Sequence, residues 1–216
     1  DKIKSDLNGV KLFYTCHSTP SAFFGEDKRE ENAAKNLIKD NDLRLIALHD
    51  DMKEELDEAF SVSNTVVIKN GIDLYKYSHP RVDKKEMRKS RNISDKAFVV
   101  GHVGRFSPEK NHRFIMEVFS LLSDKEPNAF LLLIGTGDEK GNIEKQIKEK
   151  GLENKVKILS GRTDIPELLN AMDVFIFPSL YEGFGIALVE AQASGKRCIV
   201  SDNINPSAFV SSLVVP

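Results

Sequence analysis

Two glutamates, Glu182 and Glu190, have seven residues between them in the run Glu182-Gly-Phe-Gly-Ile-Ala-Leu-Val-Glu190. The spacing crosses a glycine-containing turn and enters a helix predicted over residues 186–193. On that helix Glu190 lies among Ile186, Ala187, Val189, Ala191 and Ala193, with little polar surface around it. A carboxylate there must be exposed, paired, or hydrogen-bonded to something arriving from outside. Gly183 and Gly185 permit close approach of a ligand to the backbone, and a helix N-terminus offers unpaired N–H groups to an anion.

Two cations have a comparable setting. Arg105 and Lys110 bracket a turn between an apolar run, residues 98–104, and a helix predicted over residues 113–122. Phe114, Ile115, Val118, Leu121 and Leu122 supply the 3.6-residue period of that helix. Both cations can therefore converge beyond the end of a strand, where open parallel sheets bind ligands. Downstream, Gly135-Thr-Gly137 ends another apolar run, residues 130–134, but lacks the third glycine of a dinucleotide fingerprint. Ser160-Gly-Arg162 and the stretch up to Leu169 follow a fourth.

The elements that must position these residues are short apolar runs alternating with helical patterns, which implies parallel βαβ units and an α/β fold. Strands are predicted over residues 11–15, 43–48, 65–68, 98–103, 130–134, 156–159, 174–177 and 198–200. Asn70-Gly-Ile-Asp73 breaks the alternation with a turn signal.

Taken in order, these four elements resemble those of the retaining glycosyltransferases of the GT-B fold, in the large GT4 family (glycosyl transferases group 1). The resemblance implies Rossmann-like parallel sheets. It makes residues 1–70 the C-terminal part of an acceptor-side domain, 71–79 a linker, and 80–216 a donor-side domain truncated at its C-terminus. The chain then reads as a fragment, inactive by itself. The resemblance further implies a nucleotide-sugar donor, UDP-linked on family frequency. Glu190 would hold the ribose, and Glu182 the sugar. The amides of Gly183, Phe184 and Gly185, with Ile186 next to them, would lie close to sugar and diphosphate. Arg105 and Lys110 would bind the diphosphate, beside Gly104 and Gly135, and Arg162 would meet the base. His17, after the first strand, would touch the donor sugar; the competing reading is a loop histidine bonded locally.

The implied reaction is hexosyl transfer to an acceptor hydroxyl with retained anomeric configuration, through an oxocarbenium-like transition state. Arg105, Lys110, Glu182 and His17 are its candidate catalytic residues. No cofactor or metal is implied, because two fixed cations replace the ion. Asp40-Asn-Asp42 has the form used by metal-dependent sugar transferases, but it precedes a strand instead of following one, so it reads as a turn or cap. A sugar-nucleotide epimerase of GT-B architecture, a nucleotide-binding module without catalysis and a purely structural α/β domain are the alternatives.

Composition bounds the rest. The chain has 216 residues, a formal net charge of −2 and 30% charged residues, so nothing global points to nucleic acid. No apolar run approaches a membrane span, and the polar start Asp1-Lys-Ile-Lys-Ser5 does not read as a signal peptide. Cytoplasmic localisation, at or near the inner face of the cell membrane, follows from the resemblance, as does an acceptor that is a saccharide or a lipid-linked saccharide made into cell-surface polysaccharide. The basic run of residues 81–91 carries six cations against two acids. It reads as an exposed polar helix, with peripheral contact to an anionic membrane as the second reading. Cys16 and Cys198 read as small core residues. His102 reads as a packed structural histidine and His49 as part of a helix cap, while His79 and His112 carry no assigned role.

Overall fold

Short apolar runs become parallel strands, and the segments between them become helices, in two units, Asp1–Gly71 and Ile72–Pro216. The computed structural model describes residues 11–25, 27–40 and 43–216. Asn41 and Asp42, the later part of the acidic triplet, lie outside the described residues.

In the first unit β1 (Phe13–Thr15), α1 (Pro20–Phe24), α2 (Lys28–Asp40), β2 (Arg44–Ala47), α3 (Asp50–Phe60) and β3 (Val66–Val67) follow one another. The three strands pair in parallel in the order β1-β2-β3. Helix α3 starts where the sequence places a cap: His49 Nδ1 accepts the amide of Met52 at 3.1 Å. It buries Met52, Leu56 and Phe60, one residue per turn on the same face.

The second unit contains α4 (Leu74–Ser78), α5 (Lys84–Ser90), β4 (Phe98–Val103), α6 (His112–Lys125), β5 (Ala129–Ile134) and α7 (Lys140–Glu149). It continues through β6 (Val156–Leu159), α8 (Ile165–Ala171), β7 (Val174–Phe177), α9 (Ile186–Ala193), β8 (Arg197–Val200) and β9 (Val214–Val215). All six strands are parallel, in the order β6-β5-β4-β7-β8-β9. Leu131, Leu132 and Leu133 of β5 are fully buried, as expected of a strand covered on both faces. The chain runs outward from β4 through β5 to β6, then returns to place β7 on the other side of β4. That reversal puts a crevice at the carboxyl ends of β4 and β7, where ligands bind in open α/β sheets.

Four features differ from the sequence expectation. Residues 74–78 form α4 directly after the turn signal, with Asp73 as its cap, accepting the amide of Lys76 at 3.2 Å. A short strand, β9, extends the sheet beyond β8. Helix α6 buries Ile115, Met116 and Phe119, while Phe114, Val118 and Leu121 stay 46%, 36% and 66% exposed. The helix carries two apolar stripes, and packing against β5 selects the one that periodicity alone could not.

The fourth difference is chemical. The basic run is a helix, α5, but not a wholly exposed one, because Met87 and Arg88 are buried. Arg88 Nε donates to the carbonyl of Ala171 at 2.9 Å, and Nη1 to those of Asp95 and Ala97, both at 3.0 Å. Nη2 reaches Asp173 Oδ2 at 2.7 Å. One guanidinium thus ties α5 to the end of α8 and to the starts of β4 and β7. Truncating it strips a donor from the carbonyls of Ala171, Asp95 and Ala97, while Asp173 keeps Lys84 and the Val99 amide. Arg88→Met should therefore lower unfolding free energy by about 3 kcal/mol. Urea titration checks this, and a loss below about 1 kcal/mol, the scale of an exposed pair, would contradict it.

Candidate functional site

The site begins with two backbones that cross at close range. Beyond the end of β4 the Gly104 amide donates to the carbonyl of Ile134, and the Phe106 amide to that of Thr136, at 3.0 and 2.8 Å. The Glu139 amide returns to the Phe106 carbonyl at 2.9 Å. A Cβ on Gly135 would lie 1.8 Å from the Gly104 oxygen. At Gly137, where φ is +150°, it would lie 2.3 Å from the Phe106 oxygen. Only glycine fits either position.

This crossing forms the floor of an open cleft of about 300 Å³, lined by Gly104, Arg105, Gly135, Thr136, Arg162 and Ile165 among others. Two arginines lie in it, and they are not equivalent. Arg162 is held by Asp164 through Nε and Nη2, at 2.7 and 2.6 Å. The exposed Arg105 side chain makes no hydrogen bond or ion pair with any described residue. Its guanidinium keeps its full set of donors for an arriving anion.

Across the sheet reversal, the loops after β4 and β7 are stitched together. The Leu180 amide donates to the Glu109 carbonyl at 2.8 Å, and Asn111 Nδ2 to the Pro178 carbonyl at 3.3 Å. These bonds seat Lys110 against Glu182, with Nζ 2.6 Å from Oε1 and both side chains largely buried. The same ammonium lies 5.9 Å from the centre of the Phe177 ring. Gly185, at φ +77°, turns the chain into α9. Among the described residues, none accepts a hydrogen bond from the amides of Gly183, Phe184, Gly185, Ile186 or Ala187. A row of five donors therefore begins one residue after the Lys110–Glu182 pair.

Glu190 is half-buried on α9 and paired. Its Oε1 accepts the hydroxyl hydrogen of Tyr77, a buried residue of α4. Burial pushes the Glu190 carboxyl above its ordinary value, while the Tyr77 hydrogen bond and the charge of Lys76 pull the other way. The structure thus joins Lys110 to Glu182 and gathers Gly104, Arg105, Gly135 and Arg162 around one cleft. Tyr77 and Asp164 escape sequence reasoning. Tyr77 is 113 positions from Glu190 and stands in no motif, while Asp164 lies within the stretch of residues 160–169 without being singled out.

Beneath the cation loop lie two buried histidines. His102 Nδ1 donates to the Ile176 carbonyl at 2.9 Å, and its ring stacks 6.1 Å from both Phe175 and Phe177. His112 meets it edge-on at 5.0 Å. Burial, and then the neighbouring His112, lowers the His102 pKa to about 3; burial lowers that of His112 to about 4. Both stay neutral near pH 7 and pack as aromatics, as read for His102. In the first unit, His17 is exposed at the rim of an apolar cavity of about 350 Å³ lined by Cys16, Phe23, Phe24 and Leu37. Cys16 and Cys198 are free and buried, their thiols pushed up by burial to about 11 and about 12.

Comparison with known proteins gives this geometry a family. The family described as glycosyl transferases group 1 matches residues 83–213. A putative glycosyltransferase, EpsF of Bacillus subtilis, is 34% identical over 207 residues, covering 92% of this chain and 53% of that protein. The Escherichia coli UDP-Gal:alpha-D-GlcNAc-diphosphoundecaprenol alpha-1,3-galactosyltransferase is 34% identical over 75% of this chain and 43% of its own. Anabaena Alr3699/HepE, solved in complex with UDP-glucose, superimposes with a TM-score of 0.82 at 28% identity, over 97% of this chain and 58% of that one. The chain spans about half the length of the curated relatives it matches.

The buried histidines make stability depend on pH. Their pKa values in the folded chain lie below the ordinary 6.5, so the unfolded chain binds more protons as pH falls. The stability is complete above pH 6.5 and is lost as pH drops towards 4. From pH 7 to pH 5, His102 alone should cost about 2 kcal/mol. Urea midpoints of the protein should fall across that range more steeply than those of His102→Phe; parallel slopes would refute the assignment.

Proposed function

The chain belongs to the group 1 glycosyl transferases, and from that premise we propose that it carries the donor-binding half of an enzyme moving a hexose from a UDP-sugar to an acceptor hydroxyl. The fold is α/β with parallel sheets, and its structural neighbours are GT-B glycosyltransferases. Retention of configuration, independence from metal and GT4 membership are part of the proposal. The observation that carries it is Arg105: an unpaired guanidinium on the rim of a glycine-floored cleft, at the carboxyl ends of β4 and β5.

In this reading Arg105 grips the diphosphate, and the free amides from Gly183 to Ala187 add donors. As the bond from the anomeric carbon to the diphosphate breaks, negative charge grows on the departing oxygen. Fixed cations and amides stabilise that charge without reorganising, which is where such groups help most. Lys110 contributes field and holds Glu182, whose second oxygen is left to orient the sugar. Glu190 takes the ribose hydroxyls. The base meets the segment from Gly161 to Ile165, with Arg162 fixed by Asp164. For His17 the support is the sequence resemblance alone.

An acceptor that is a lipid-linked saccharide, met in the cytoplasm at the inner face of the cell membrane during cell-surface polysaccharide synthesis, completes the proposal. Its support is the diphosphoundecaprenol substrate in the name of the Escherichia coli relative and the exposed Lys85 and Lys89 on α5. No helix among the described residues is long and apolar enough to cross a membrane.

Calorimetric titration tests the donor site. UDP should bind in preference to GDP and ADP, without added metal. Charge-assisted hydrogen bonds contribute about 1.5–3 kcal/mol, so Arg105→Ala should weaken UDP binding roughly 10- to 100-fold. Uridine should bind the variant and the parent alike. Equal losses for UDP and uridine would sink the diphosphate assignment.

A further inference from the structure

Glu190 sits where an ionised carboxylate is disfavoured. Its helix is apolar, with Leu188, Val189 and Ala191 buried beside it, and the side chain itself is half-buried. It nonetheless has a dedicated hydrogen-bond donor from outside its own helix. The Tyr77 hydroxyl, on α4, points at Oε1. Tyr77 is 8% exposed, so its ring is held by packing and the hydroxyl approaches from a set direction. Oε2 of Glu190 has no hydrogen-bond partner among the described residues. One oxygen is occupied by a fixed donor, and the other is left to accept.

We propose that Tyr77 is a positioning residue for recognition of the nucleoside diol: by holding Oε1 it sets the rotamer of Glu190, so that Oε2 accepts hydrogen bonds from the two adjacent ribose hydroxyls. This rests on reading Glu190 as the ribose ligand. A phenol can do this where a lysine would do it badly. It donates one hydrogen bond without adding a positive charge that would neutralise the carboxylate before a ligand arrives. The charges that reach the pair from the packed helix α4 are Lys76, which favours ionised Glu190, and Asp73, which acts on Tyr77. The ligand class that follows is a ribonucleoside diphosphate in preference to its 2′-deoxy counterpart.

The test titrates UDP and 2′-deoxy-UDP into the protein, Tyr77→Phe and Glu190→Ala, between pH 5 and pH 8. Tyr77→Phe keeps the packed ring, and circular dichroism checks that it folds. The protein should bind UDP more tightly than the deoxy ligand, and Glu190→Ala should erase that preference. Tyr77→Phe should lose about tenfold in UDP affinity and most of the preference. It should also shift the acid limb of UDP binding to higher pH. With the hydroxyl gone, only Lys76 still opposes burial, and the Glu190 carboxyl holds its proton to a higher pH. A merely structural tyrosine would leave that limb in place. Unchanged preference and acid limb in Tyr77→Phe, with the preference lost in Glu190→Ala, would overturn the role of Tyr77 and spare the ribose reading. Preference retained in Glu190→Ala, or no UDP binding by the folded protein, would overturn both.

Discussion

The approach of two backbones at the ends of β4 and β5 is the constraint on which the second unit's cleft depends. With the Gly104 carbonyl where a side chain on Gly135 would begin, the two strand ends can share amide-to-carbonyl bonds past the regular sheet. The loop after β4 is thereby bent over the end of β5, which opens the cleft and puts Arg105 on its rim. Any other residue at 135 or 137 would push this loop outward and take the cation with it. The glycines act through the space they leave empty.

From that bend the chain passes through a 3₁₀ turn, Pro108–Lys110, into α6. Here the reversal of strand order matters. Because β7 lies next to β4, the loop carrying Lys110 and the loop carrying Glu182 share one end of the sheet and bond to each other directly. The buried histidines fill the space below. Their neutrality lets two polar rings serve as packing under a cationic loop, at the cost of sensitivity to acid.

The sheet was largely legible in the residues, and much of the packing was not. The runs at Phe98–Val103, Val156–Leu159 and Val174–Phe177 are strands with the expected bounds, and the signal is unbroken at Val174–Phe177, whose last three residues are buried. Helix α4 was missed because five residues cannot display a period, and β9 because two residues cannot either. The period of α6 marks a helix but not its buried face, because Phe114, Val118 and Leu121 repeat as regularly as Ile115, Met116 and Phe119 do. Arg88 looked like one more solvated cation in a basic run. Its burial depends on three carbonyls, those of Asp95, Ala97 and Ala171, and backbone acceptors leave no trace in a sequence. The candidate site divides in the same way. The spacing of Glu182 and Glu190 and the glycines between them stand out locally, whereas Lys110 and Tyr77, which determine what each glutamate can do, lie 72 and 113 positions away.

Those two partners make chemically different sites of two identical side chains. Glu182 meets a full positive charge, so the pair is close to neutral and an anion arriving at Lys110 must share it with a carboxylate already in place. Such a pair favours a ligand offering both an acceptor for the ammonium and a donor for the carboxylate, as a sugar hydroxyl beside a phosphate does. Glu190 has a neutral hydroxyl as its hydrogen-bond partner, with Lys76 acting on it by charge alone, in a half-buried setting that disfavours the ionised form. A ligand that brings donors to Glu190 relieves part of that cost on binding, and one that brings acceptors adds to it. The side of a nucleotide sugar rich in hydroxyls thus suits Glu190, and its anionic side suits Arg105 and the open amides. Which partner each carboxylate was given thus decides which ligand groups it suits.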